Sequence, residues 1–173
     1  LLRGINVSGH NMIKMDVLKS LLENAGFQNV RTYIQSGNVF VDSEEEHDAS
    51  VGFKIKQEIF KELGLEVPVV VIGKEDLEAC FKNNSYLKEK DYDTKKLYVA
   101  FISKELSSGA LNDLKISQFK PDEAAIDKSR IYIKYAVGAG KTRLDQKYIE
   151  KKLNVVATIR NWNTVTTLLE MFE

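Results

Sequence analysis

The sequence predicts an α+β fold of two linked β-α-β-β-α-β units, ferredoxin-like in element order, closed by a C-terminal helix. Three observations carry the prediction. Residues 31–42, RTYIQSGNVFVD, place strand formers on both sides of the turn residues Ser36, Gly37 and Asn38 and read as a β-hairpin. Helical periodicity brackets that hairpin, with the apolar runs LLRGIN ahead of it and VPVVVIG behind. The same order of patterns then recurs over residues 97–159, around a second hairpin at Lys128-Ser129. The expected organisation is a first subdomain over residues 1–84 with an extra short helix, a linker over 85–96, and a second subdomain with the C-terminal helix over 97–173.

Taken in order, LLRGIN is a predicted buried strand and VSGHNMIK a loop broken by Gly9 and Asn11. Met15, Leu18, Leu21, Leu22 and Ala25 recur at 3.6-residue spacing, with Asp16 in the first turn and Gly26 as the stop, which predicts a helix. After the hairpin, SEEEHD is a solvated connector. Asp48 is the expected N-cap of a helix with Val51, Ile55, Ile59 and Leu63 on one face, closed by Gly64. VPVVVIG follows as a strand whose Pro68 belongs near its start or on an edge. A short helix from Lys74 puts Leu77, Cys80 and Phe81 on one side, and the charged, aperiodic residues 85–96 follow. In the second half LYVAFI is a strand, Ala110, Leu111 and Leu114 mark a helix, and DEAAID and RIYIKYA pair as the hairpin. LDQKYIEKKL is a helix and VVATI a strand. The last helix carries Val165, Leu168, Leu169 and Phe172 as an apolar stripe, capped by Asn161 or Asn163.

Twenty-five basic residues balance twenty-five acidic ones over 173 positions, so no overall field draws the chain to nucleic acid or an anionic membrane. The balance argues against a nucleic-acid partner. One cysteine, Cys80, excludes an intramolecular disulfide and a cysteine-rich zinc site and suits a reducing cytoplasm. No apolar run approaches the roughly 18 residues of a membrane span, so no membrane partner is expected. The chain opens on Leu1-Leu2 without an initiator Met, and a few residues of the first strand are expected ahead of it. Oligomeric state is not encoded in any of these features.

Four passages, LLRGINVSGHNMIKM, GFQNVRTYIQSGNVFVDS, the GAGKTRL loop and TIRNWNTV, together resemble the bacterial DUF1697 family. The resemblance implies two linked ferredoxin-like subdomains and implies no activity. One departure is Ser8, where family members usually carry Gly.

Candidate ligand-binding residues gather in loops after strands. In residues 3–11, Arg3 and Asn6 could add side-chain donors to free backbone N–H groups, or Asn6 and Asn11 could satisfy only the loop itself. Residues 138–142, GAGKT, look like the tail of a phosphate-binding P-loop, but Tyr135 stands where that pattern needs glycine. Thr142-x-x-Asp145 is also a capping box, leaving Lys141 and Arg143 as a looser anion site. Arg160, Asn161 and Trp162 either bind and stack on a ligand or cap the last helix and close a core edge. Aromatics on the predicted sheets invite comparison with RNA-recognition motifs, whose signature is absent. His10, acting with Ser8 or Ser36, is the conceivable general base, and neither His10 nor His47 has metal-ligand spacing. No metal and no cofactor is expected. The expected function is a binding module for a small anionic or phosphorylated ligand where the two subdomains join, lined by Arg3, Asn6, Lys141, Arg143, Arg160, Asn161 and Trp162. The alternatives are an enzyme acting on such a ligand and a nucleic-acid binder using its sheets.

Overall fold

The structure, a computed structural model, describes residues 1–7, 9–45, 47–107 and 109–172. Ser8, the departure from the family pattern, lies outside the described residues. The fold is α+β, with a two-stranded and a four-stranded antiparallel sheet. Cα packing divides the chain into Leu1–Ile72 (unit 1) and Gly73–Glu173 (unit 2).

In unit 1, helix α1 (Met15–Asn24) and helix α2 (Asp48–Leu63) form where the apolar spacing predicts them. Leu18, Leu22, Val51, Ile55 and Ile59 enter one core with Leu2, Ile5, Phe27 and Val67. Asp48 is the first helical residue of α2 instead of its cap; the cap position is His47, whose side chain makes no capping bond. Strands β1 (Gln28–Tyr33) and β2 (Asn38–Asp42) pair antiparallel as Arg31 to Phe40, Thr32 to Val39 and Tyr33 to Asn38. Their turn begins earlier than the composition suggested. Ile34, expected in a strand, sits at φ 49° and half exposed, while Asn38 opens β2. Asn38 is fully buried and donates to the Tyr33 carbonyl at 3.0 Å and to Ser36 Oγ at 3.1 Å. Gly37 lies so close to Leu2 that a Cβ there would stand 2.7 Å from the Leu2 Cβ, and its φ is 84°. That approach requires glycine.

The strands expected at LLRGIN and VPVVVIG meet only through an isolated bridge, Leu2 to Val69, with Arg3 N–H donating to the Pro68 carbonyl and Val70 N–H to the Leu1 carbonyl, both at 2.9 Å. The reason is local. Gly4 and Asn6, at φ 69° and 54°, turn the first segment out of the extended region, and Pro68 has no N–H to give the second.

Unit 2 begins with helix α3 (Lys74–Asn83), followed by 3₁₀ turns at Ser85–Lys88 and Thr94–Lys96 in the stretch expected as linker. Then come strand β3 (Leu97–Ile102), helix α4 (Ala110–Leu114), strands β4 (Glu123–Asp127) and β5 (Arg130–Lys134), helix α5 (Gln146–Leu153), strand β6 (Ala157–Asn161) and helix α6 (Trp162–Glu170). The sheet order is β4-β5-β3-β6, every neighbour antiparallel. On one face Ala100, Ile102, Ile131 and Ile133 pack with Leu114 of α4 and Ile149 of α5. Side-chain alternation turns Arg130 and Tyr132 to the other face. There α3 meets them: the Tyr132 hydroxyl oxygen lies 3.5 Å from the Ala79 carbonyl and Arg130 reaches Asp76. α6 joins α3 through Trp162 and Phe81, ring centroids 4.8 Å apart. Helices therefore cover both faces of this sheet. Phe101, Tyr132 and Tyr135 are each only 1% exposed, so these three rings offer no face to solvent.

Candidate functional site

One end of the unit 2 sheet collects the polar loops. Leu97 pairs with Lys134, Tyr98 with Asn161, and Glu123 with Lys134, so β3 and β4 begin where β5 and β6 finish. β5 and β6 flank β3 and run parallel to each other, so the segments that follow them leave the same end, roughly 10 Å apart at two strand spacings.

The loop after β5 is fastened from within. Asp122, just ahead of β4, is buried, and its Oδ1 accepts the Ala136 N–H at 2.9 Å while its Oδ2 accepts the Thr142 hydroxyl at 2.6 Å. Thr142 Oγ1 in turn accepts the Leu144 N–H at 3.0 Å, and the buried Tyr135 hydroxyl donates to the Leu144 carbonyl at 2.7 Å. Desolvation, with Asp122 and Asp145 nearby, pushes the Tyr135 phenol up, so it stays a proton donor. Thr142 is therefore a tie to Asp122 and not the helix cap; Asp145 caps α5 by accepting the Tyr148 N–H at 2.8 Å. Residues Ala139–Lys141 form a 3₁₀ turn. Lys141 and Arg143 point outward, exposed, and neither is in an ion pair among the described residues.

The remaining predicted residues are placed as follows. Arg160 is 8% exposed on β6; its Nη1 donates to Thr158 Oγ1 at 2.8 Å and to the Ile159 carbonyl at 3.0 Å, and burial pulls its pKa down to about 10, where it is still charged at neutral pH. Asn161 caps α6, accepting the Thr164 N–H at 2.8 Å, and the buried Trp162 packs on Phe81. Arg3 and Asn6 belong to unit 1. Arg3 is half-buried. Asn6 is a clamp: its Nδ2 donates to the Ile13 and Gln35 carbonyls at 2.8 and 2.9 Å, and its Oδ1 accepts the Ile13 N–H at 2.8 Å. His10 is exposed, its N–H closing a turn onto the Val7 carbonyl at 2.9 Å.

Two groups escaped the sequence reading. Arg130, 4% exposed, donates Nη1 to Asp76 at 2.7 Å and Nη2 to Asp127 at 2.9 Å, and Asp127 also accepts from Tyr132 at 3.0 Å and Asn83 at 3.0 Å. Burial works to raise the Asp127 pKa, yet the hydrogen bonds from Asn83, Arg130 and Tyr132 outweigh it and hold the carboxyl below its ordinary range. Cys80 lies beside this cluster, fully buried, and desolvation pushes its thiol up to about 12, which removes thiolate chemistry at neutral pH. The second group is Lys134, bound to Glu89 at 2.7 Å and Glu123 at 3.3 Å and lying 5.7 Å over the Tyr86 ring. A charge opening the otherwise apolar run Ile131-Tyr132-Ile133 was the available signal for Arg130. Among the described residues no group of three or more His, Cys, Asp or Glu side chains could hold a metal ion, and no helix is long and apolar enough to cross a membrane.

A family profile described as protein of unknown function, DUF1697, matches residues 1–132. The chain belongs to the DUF1697 family. The match takes in unit 1 and unit 2 as far as the middle of β5; the GAGKTRL and TIRNWNTV passages lie beyond it. Among solved structures, this DUF1697 member is similar to the conserved bacterial protein SP0830 from Streptococcus pneumoniae, at 22% identity and a TM-score of 0.73, over 100% of this chain and 96% of that one. That likeness speaks to the fold alone. No curated protein matches the chain.

Proposed function

We propose that this DUF1697 protein is a binding module for a small anionic or phosphorylated ligand, received at the sheet end of unit 2 by Lys141 and Arg143. The observation that carries the reading is the contrast among the cations of that end. Lys134 is neutralised by two carboxylates, whereas Lys141 and Arg143 stand exposed, without ion-pair partners among the described residues, on a loop fixed by the Asp122 to Thr142 bond of 2.6 Å. A preordered loop loses little entropy when an anion binds, and Arg offers the planar fork that suits phosphate. Arg160 and Asn161 leave the same end of the sheet and support the site by fixing β6 and α6.

The reading extends to the fold and its setting. The strand order of unit 2 supports a ferredoxin-like assignment for that unit, and unit 1 reads as a reduced copy in which only the hairpin ladder persists. A buried, unreactive Cys80 suits the cytoplasm. The covered sheet of unit 2 supports a small ligand over nucleic acid, and the exposed, turn-bound His10 gives the enzymatic alternative little support.

Thermal shift and calorimetry with inorganic phosphate, pyrophosphate and adenosine monophosphate test the proposal. At least one is expected to raise the melting temperature in a saturable, salt-sensitive way, and the Lys141→Ala, Arg143→Ala double variant is expected to weaken it at least about tenfold. No saturable shift with any of the three, or equal affinity in the double variant, would remove the idea.

A further inference from the structure

Beside the β4 edge unit 2 holds a cleft of about 490 Å³, lined by Tyr86, Ile116, Ser117, Lys120, Glu123 and Ala124, with Pro121 and Asp122 between. That volume falls in the range of small-molecule sites. Tyr86 is the telling wall. It is 7% exposed, and its hydroxyl has no hydrogen-bond partner among the described residues. The ring is packed away, but the hydroxyl itself still reaches solvent, so an acceptor entering the cleft can meet it. Next to Tyr86, Asn84, 1% exposed, accepts the Tyr86 N–H on its Oδ1 at 3.1 Å, and its Nδ2 has no partner among the described residues.

The lining selects the ligand class. Desolvation, with Glu123 and Glu89 nearby, pushes the Tyr86 phenol up, so the group offers an O–H and wants an acceptor. Glu123 makes its ion pair to Lys134 through Oε1, which leaves Oε2 to accept an N–H. Ile116, Pro121 and Ala124 supply an apolar bed. Counted together, Asp122 and Glu123 face Lys120 and the Lys134 ammonium over the Tyr86 ring, so the cleft carries no net charge and favours an uncharged ligand over either ion.

We infer that this cleft binds a small uncharged amide or lactam, whose carbonyl accepts from the Tyr86 hydroxyl and whose N–H donates to Glu123 while its apolar body rests on Ile116 and Pro121. The site draws on neither Lys141 nor Arg143 and shares with the anion loop only Asp122, whose carboxylate is already bonded to Ala136 and Thr142, so variants at Tyr86 and at Lys141 and Arg143 separate the two.

The test is amide chemical-shift titration of the whole protein with three rings of similar size: 2-pyridone as the uncharged lactam, benzoate as the anion, benzylamine as the cation. Saturable shifts at Ser117, Asp122, Glu123 and Ala124 are expected with 2-pyridone, at least about tenfold weaker binding with the other two, and a loss of about tenfold in Tyr86→Phe, the worth of one good hydrogen bond. Tyr86→Phe removes a hydroxyl with no internal partner, so it should fold as the parent does; Glu123→Gln, which keeps an acceptor but lowers its strength, is expected to weaken binding by a smaller factor. Shifts that do not saturate, unchanged affinity in Tyr86→Phe, or a preference for benzoate or benzylamine would each overturn the assignment.

Discussion

In unit 1 the segments flanking the hairpin touch through one bridge, Leu2 to Val69, whereas their counterparts in unit 2, β3 and β6, pair at five positions from Tyr98 with Asn161 to Ile102 with Ala157. Both units draw on the same order of patterns. What separates them is backbone freedom: LLRGIN and VPVVVIG contain Gly4, Asn6 and Pro68, while LYVAFI and ATIRN contain no residue that leaves the extended region. Unit 1 consequently holds its ends with side-chain and backbone clamps, Asn6 and Gly37, and unit 2 holds its layers with a ladder plus the buried Arg130 cluster.

That contrast can be broken at either unit. The largest effect belongs to Arg130→Ala, which strands Asp76 and Asp127 beside a buried cavity and should cost about 3–5 kcal/mol. Trp162, the sole tryptophan, reports unit 2 unfolding by fluorescence, and a loss below about 1 kcal/mol would show that the cluster is dispensable. Gly37→Ala comes next. It places a methyl against Leu2 at a positive φ, and about 2–4 kcal/mol of destabilisation is expected in amide exchange of unit 1, with the Trp162 transition unchanged. A parallel fall in both units would erase the distinction drawn between them.

Ile34→Gly works in the opposite direction. A β-branched residue at φ 49°, half exposed, gains little from burial, so its replacement should stabilise unit 1 by about 1 kcal/mol in the same exchange measurement. A destabilised variant would mean that Ile34 is held by packing worth more than its strain. The smallest effect is a pH dependence. The folded-state pKa of Asp127 lies below its unfolded value, so its contribution is fully present above about pH 5 and is lost as pH falls through the unfolded and then the depressed value. Asp127→Asn should flatten the decline of unit 2 stability between about pH 5 and about pH 3, read by Trp162; an unaltered slope would refute the linkage.

Local rules made much of this legible. Helices α1, α2, α3 and α6 lie where 3.6-residue spacing puts them, the turn at Lys128-Ser129 joins β4 to β5, and Asn161 caps α6. What stayed hidden depends on distant partners. LLRGIN has a strand's composition but needs a neighbour that can donate along its whole length. Thr142 satisfied a capping pattern within its own segment, yet its hydroxyl goes to Asp122, twenty residues back. Arg130 finds Asp76 across fifty-four. Asn6 shows the same limit from the other side: its residue type pointed to a ligand or to the loop, and the geometry assigns three of its bonds to the loop's own backbone and to Gln35.

The outer layer of unit 2 is assembled from its two extremities, α3 ahead of the first strand and α6 behind the last, clasped where Phe81 meets Trp162. During synthesis α3 emerges early but cannot meet α6 until residues 162–170 have left the ribosome. Until then that side of the sheet has α3 against Arg130 and Tyr132 but lacks α6, so a chain stopped short of residue 162 would leave Phe81 without its ring partner.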